Sequence, residues 1–242
     1  MSRVPSLLLV AMILGAAACG TSGDRAFSYP AIAVGQAALP LDLADYTLQL
    51  DRAQLAYGPA YFCRTAAASP ELCPVAGAEL RTVTSIDQLD PTPHPLGEID
   101  SLPGLLRTTT YDLGWSWFPR DTAPRRAAGL DHSAEFALTL TRRSDGVVRT
   151  FVLQFDLLPT IAGTRTIGAT RIAATVLDAA HRMRVTADAR AWWGEIDPAE
   201  LFELPAPADG PTSIPPDSHI AAILHQQITS GRPLAFSWEL AP

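Results

Sequence analysis

The chain has 242 residues, a formal net charge of −7 and 48% hydrophobic residues, enough apolar side chain to close a core for one large domain or two small ones. It contains no Lys, and its Arg residues form no basic stripe, so nucleic acid is not an expected partner. It contains no Asn either, which excludes N-linked glycosylation.

The first residues read as an address. Arg3 is a basic start, residues 7–18 are an unbroken apolar run, and Ala16-Ala17-Ala18 stand directly before Cys19. The run is shorter than the about 20 residues of a membrane-spanning helix, so residues 1–18 are expected to be a secretory signal peptide. Small residues leading into a cysteine resemble the lipobox of bacterial lipoproteins, with Ala16 standing where that family usually has Leu. The resemblance implies diacylglycerol on Cys19 and a protein anchored to the bacterial cell envelope, an outer-membrane lipoprotein in the first instance. Ordinary cleaved secretion is the other reading. Gly20 to Arg25 is small and polar, so residues 19–26 are expected to be the lipidated cysteine and its tether, and residues 27–242 a single domain.

Phe27 to Val34 is a first strand despite Pro30, and Pro40 to Asp45 a connection. Tyr46, Leu48 and Leu50 then alternate with polar residues, the period of a half-buried strand. The apolar phase shifts to Ala53, Leu55 and Tyr57, which predicts a bulge or break near Asp51 to Ala53. Gly58-Pro59 predicts a bend or an edge position. Cys63 and Cys73 follow. With Cys19 lipidated they are an even pair in an oxidising compartment, and a disulfide is expected. A metal or redox pair would need CxxC spacing or a second Cys/His cluster, and neither is present.

Ala78 to Leu89 is a weak strand signal. Asp90 to Pro103 carries four prolines and is not expected to be regular throughout. Thr108 to Tyr111 favours a strand that runs toward Trp115, Trp117 and Phe118. Pro119 to Gly129 reads as a charged loop. Phe136, Leu138 and Leu140, then Phe151, Leu153 and Phe155, alternate on either side of Ser144-Asp145-Gly146, which predicts a β-hairpin. A second hairpin is expected over Ile172 to Ala187, with helix as the competing reading for its Ala-rich part. Asp197 and Pro198 start a short helical turn. A longer helix begins at Asp217 or Ser218, places Ile220, Ile223, Leu224 and Ile228 on one face, and ends at Gly231. Leu234, Phe236, Trp238 and Leu240 alternate in a last strand, with Trp238 expected in the core. The sum is a mainly β protein: an antiparallel β-sandwich or open barrel with one C-terminal helix before the last strand.

Signals for chemistry are weak. Asp131-His132-Ser133 holds three triad residue types in a row, but a triad needs convergence in space and there is no GxSxG turn. Asp87, Asp90, Glu98 and Asp100 cluster around His94 without calcium-loop spacing. His219 and His225 lie about 600° apart on their helix, on opposing sides, unlike an i, i+4 metal pair. No catalytic residue, metal ligand or cofactor is therefore assigned. The aromatic residues are more informative. Trp192-Trp193, if extended, sends one indole to each face. Arg107, Tyr111 and Trp115 could line a groove. Packing against a loop is the first reading of these aromatic residues; the second makes the five a candidate binding surface, for a protein or small-molecule ligand.

The segment Asp188 to Asp197, DARAWWGEID, placed after a hairpin and before a helix, resembles the closing part of MbnP-like periplasmic domains, as does the strand pair beginning near Tyr46. The resemblance implies a secreted β-sandwich with a binding role, in a group some of whose members handle copper. It supplies no ligand set here: past the signal peptide the chain has one Met, Met183, and no soft-metal spacing. The leading expectation is a lipid-anchored binding or structural module. A copper or other metal-binding periplasmic protein is the alternative, and a hydrolase assembled from distant loops is the third reading.

Overall fold

The structure is a computed structural model that describes residues 26–65, 76–176, 179–231 and 234–241. The expected signal peptide, Cys19, the expected tether to Arg25, and Cys73 lie outside the described residues. The chain is mainly β, with two large sheets around one core. One sheet is built from β1 (Phe27–Val34), β4 (Ala60–Cys63), β5 (Ala78–Leu80), β7 (His94–Ser101), β8 (Leu105–Tyr111), β13 (Ile167–Val176), β14 (His181–Thr186) and β16 (Ala235–Leu240). The other is built from β2 (Leu41–Leu43), β3 (Tyr46–Tyr57), β6 (Thr84–Asp87), β11 (Ala134–Arg142), β12 (Val148–Phe155) and β15 (Thr212–Ser213). A short ribbon pairs β9 (Trp115–Ser116) with β10 (Arg125–Arg126).

The first sheet has the order β13-β8-β4-β5-β7-β1-β14-β16 and curls like half a barrel, which brings its two edge strands toward each other. The second runs β15-β12-β11-β3-β2, with β6 also paired to β3. The alternation that marked β3 explains its place. Leu48 and Leu50 point into the core, and so do Ala53, Leu55 and Tyr57. The phase change is absorbed by a bulge: Ala137 of β11 sits opposite Arg52 and Leu138 opposite Leu50, which leaves Asp51 as the extra residue. At Gly58-Pro59, a cis bond, the chain leaves β3 and enters β4 in the opposite sheet. Gly58 has φ +101°, and a Cβ there would stand 2.2 Å from the Thr82 carbonyl oxygen, so only glycine fits this corner.

Several expectations are corrected. The sheets are mixed rather than purely antiparallel: β1 runs parallel to β14, and β12 parallel to β15. Alternation shows which face of a strand is buried, not the direction of its partner. The hairpin over Ile172 to Ala187 does not form, since β13 pairs with β8 and β14 lies between β1 and β16. The proline-rich stretch is irregular at its ends, as expected, and holds an eight-residue strand, β7, between them. Its pairing with β1 skips Leu96, so a bulge takes up the distortion beside Pro95 and Gly97. Pro30 fits β1 because the ladder to β14 begins one residue later, at Ala31. Ala78 to Leu89 divides into β5 and β6, which belong to different sheets. Short strands also occur where connections were expected, at β2 and β10.

Among the described residues there are three helices: α1 (Ala189–Trp193), α2 (Pro198–Glu203) at the turn expected from Asp197 and Pro198, and α3 (His219–Gln226), the expected C-terminal helix before the last strand, which continues as a π-helical turn, Gln227–Gly231. Each starts at a side-chain cap. Asp188 accepts from the Ala191 amide, Asp197 from Ala199 with Pro198 at the first position, and Ser218 from Ala221. Ile220, Leu224 and Ile228 are buried as their spacing required, and Trp238 is half-buried, edge-on to Phe62.

Phe136 of β11 shows how the layers meet. Its ring stacks with Phe155 at 6.4 Å and takes Trp193 of α1 edge-on at 5.5 Å. Phe136→Ala is expected to lower stability by about 3–5 kcal/mol, read by urea unfolding. A loss below about 1 kcal/mol would mean that this contact is not packed core.

Candidate functional site

At the end of β8, Tyr111 turns inward, where its hydroxyl accepts from the Leu234 amide. Asp112 follows on the other side of the chain and has no exposed surface. Its carboxylate accepts from Arg165 Nη1 at 2.8 Å, from the Thr166 amide at 2.9 Å and from the Thr166 hydroxyl at 3.3 Å. Its backbone is tied to the sheet-to-sheet corner, with the Gly58 amide donating to Asp112 O and the Asp112 amide to Pro59 O. Burial pushes the Asp112 carboxyl above the usual carboxylate range, while Arg165 and the Thr166 amide pull against it.

Arg165 also serves as a platform. Its guanidinium lies 4.8 Å from the centroid of the Tyr61 ring and 5.0 Å from that of Phe118, so a charge neutralised by Asp112 is sandwiched between two aromatic faces. Phe118 is held there yet remains 45% exposed. The turn that contains Ile161, 58% exposed, docks on the same segment, with the Gly163 amide donating to Trp117 O at 2.6 Å. Inside that turn the Thr164 hydroxyl donates to Ile161 O. Trp117 Nε1 donates to Asp121 O, and the Phe118 amide to the Asp121 carboxylate. Leu158 adds a third exposed apolar side chain on the same loop as Ile161. Apolar side chains held out by a hydrogen-bonded frame need little further ordering on contact, which is the character of a docking surface.

The five residues of the candidate binding surface do not come together. Arg107 is exposed, but it stands at the opposite end of β8 from Asp112. Tyr111 is buried between Tyr57 and Phe236. Trp115 is half-buried under Arg126, 4.8 Å from its ring. Trp192 and Trp193 are both buried, because the segment is helix α1 and not a strand. A one-turn helix packed flat on Phe136 can bury adjacent side chains that a strand would send to opposite faces. Phe118, Arg165, Tyr61 and Ile161 were missed. No local pattern joins Asp112 to a residue 53 positions away.

The other candidates resolve into structure. Ser133 is buried, donates to Leu113 O at 2.6 Å and accepts from the Leu157 amide, so it is a brace and not a nucleophile. Asp90 caps a turn at the Thr92 amide and sits 3.1 Å from His94 Nε2, and Asp100 accepts from Ser28. Met183 is buried between the sheets, and Cys63 is buried at the end of β4. Among the described residues no group of three or more His, Cys, Asp and Glu side chains is placed to hold a metal ion. A cavity of about 160 Å³ on the outer face of β3 is lined by Arg52, Gln54, Ser85, Asp131, His132 and Glu135, with Arg52 paired to Glu135 at 2.7 Å.

Arg165→Met leaves the Asp112 carboxylate buried without its counter-charge, and is expected to cost about 3–5 kcal/mol in urea unfolding. The same change made on top of Asp112→Asn should cost clearly less; equal costs in the two backgrounds would mean that the two groups are not coupled. No family model, curated protein or solved structure matches the chain, so the loop face and the cavity are read from their own chemistry.

Proposed function

We propose that this protein is a lipid-anchored binding module of the bacterial envelope that offers the Phe118–Arg165–Ile161 face to a protein partner. The observation that carries this reading is the rigid presentation of Phe118 on the Asp112–Arg165 pair. An open face of this kind suits a protein surface, since a small molecule needs a concavity that covers most of it. The Ala16-Ala17-Ala18-Cys19 segment supports the anchor, with seven residues, Gly20 to Ala26, before the first strand. The likeness to MbnP-like domains supports a secreted sandwich and adds no ligand. In this reading Cys63 and Cys73 form a disulfide in the oxidising envelope.

The anchor is tested by globomycin and by Cys19→Ala: the first should accumulate the unprocessed precursor, the second should move the protein to the soluble fraction. Unchanged processing and distribution would remove the anchor. The face is tested by photo-crosslinking in intact cells from position 118, with position 150 as control. An adduct from 118 alone is expected, and equal adducts, or none, would remove the face. The Cys19→Ala protein should show no reactive thiol until reduced, and reduction should cost about 2–3 kcal/mol of stability.

The cavity beside β3 supports a second reading, a hydrolase, because it gathers Ser85, Asp131, His132 and Glu135. His132 Nδ1 lies 3.9 Å from the Asp156 carboxylate, but the Ser85 hydroxyl donates to Gln54 and has no base of its own. A serine-reactive fluorophosphonate should label wild type and spare Ser85→Ala if this reading holds; absence of labelling sets it aside.

A further inference from the structure

The outer face of the second sheet carries a depression with charged walls. In the register of β3 with its neighbours, Glu135 of β11 stands opposite Gln54, and Ser85 of β6 opposite Ala56. These residues alternate along their strands with Leu55, Ile86 and Phe136, which are core, so their side chains point outward. The chain between β10 and β11 passes over them and brings Leu130, Asp131 and His132 to the same cavity of about 160 Å³. Ala56, 2% exposed, and Leu130 supply its apolar surface.

The polar groups in this cavity are loosely committed. Arg52 Nη2 pairs with Glu135 Oε2 at 2.7 Å, with 58% of the Arg52 side chain exposed. A pair so open to water holds its partners weakly, and either can turn to a ligand at little cost. The Ser85 hydroxyl donates to Gln54 Oε1 at 2.9 Å, which leaves the Gln54 NH2 without a protein partner among the described residues. Arg52 and Gln54 are two residues apart on one face of β3, so their donors lie side by side. Glu135 and Asp131 supply the acceptors. Among the described residues no group of three or more His, Cys, Asp and Glu side chains is placed to hold a metal ion, so the partner these carboxylates fit is an organic cation.

We infer that this cavity binds a small zwitterion, a free α-amino acid with a short side chain. Its carboxylate would accept from Arg52 and the Gln54 NH2, its ammonium would donate to Glu135 and Asp131, and its side chain would lie against Ala56 and Leu130. A simple anion would meet two carboxylates with one guanidinium. A simple cation would meet that guanidinium and leave the Gln54 donors unmatched, so a ligand of both signs completes the set. At about 160 Å³ the cavity is well below the about 300–1,000 Å³ of pockets for drug-sized ligands, which keeps the occupant small. Binding of this kind needs no lipid anchor, no Phe118 face and no nucleophile, so it holds or fails independently of each of them.

The test is isothermal titration calorimetry of the purified full-length protein with L-alanine, propionate and ethylamine at millimolar concentration. The last two keep the short chain and carry one charged group each. L-Alanine should bind saturably at one site, and propionate and ethylamine at least about tenfold more weakly. Arg52→Met and Glu135→Gln should each weaken L-alanine at least about tenfold. Thr150→Met, on the same face of the sheet two strands from β3, should leave it unchanged. A urea midpoint close to wild type for each variant assigns the loss to the site, and the comparison of the three ligands on wild type stands whether or not a variant folds. No binding of L-alanine, or equal binding of propionate or ethylamine, would overturn the zwitterion site. L-Alanine binding that survives both substitutions would place the amino acid elsewhere and overturn the assignment.

Discussion

A carboxylate without access to water organises one end of this protein. Burying the Asp112 charge alone would cost several kcal/mol, and Arg165, the Thr166 amide and the Thr166 hydroxyl together make the burial tolerable. Because the Asp112 backbone also holds the Gly58-Pro59 corner, one residue links the chain's crossing between sheets to the loop that enters β13. The pairing is a constraint more than a source of net stability: an apolar pair could fill the space, but it would not fix the guanidinium plane on which Phe118 and Tyr61 stack.

The second constraint is β3. Its twelve residues pair with β11 on one side and with β2 and β6 on the other, so three stretches of sequence depend on its register. The bulge at Asp51 lets one strand keep Leu48 and Leu50, then Ala53 and Leu55, on the same face. Without it, half of the strand would send its apolar side chains to solvent. The Asp51 carboxylate, pointing outward, accepts from Thr139 on β11 and ties the irregularity to its neighbour. Across the core from this strand the curled sheet supplies Tyr57's neighbours Tyr111 and Phe236, so the corner, the inner aromatic cluster and the bulge belong to one continuous packing unit.

These two constraints shape what leaves the first sheet. Beyond Tyr111 the chain enters long loops stiffened by side-chain hydrogen bonds, with an aromatic and arginine surface at their outer edge. A structural module needs only the core; the added framework around Phe118 is what distinguishes this end as the functional one in our reading.

What the sequence determined by itself is local. The period-two stretches placed β1, β3, the β11–β12 hairpin and β16; the phase slip placed the bulge; and Asp197-Pro198 and Ser218 placed two helix starts, because each of these depends on residues a few positions apart. Direction and partnership were left to the tertiary structure: the parallel β1–β14 pair, the separation of β13 from β14, and the assignment of β5 and β6 to different sheets all arise from contacts between distant segments. The candidate site was the least legible part. Trp192 and Trp193 stood out as large aromatic residues but are core, since a single helical turn capped by Asp188 lays both on Phe136. Phe118 and Arg165, unremarkable in their own neighbourhoods, became a surface only when Asp112, 53 residues from Arg165, was buried beside them, and a buried charge selects its partner by position in space and not by spacing along the chain.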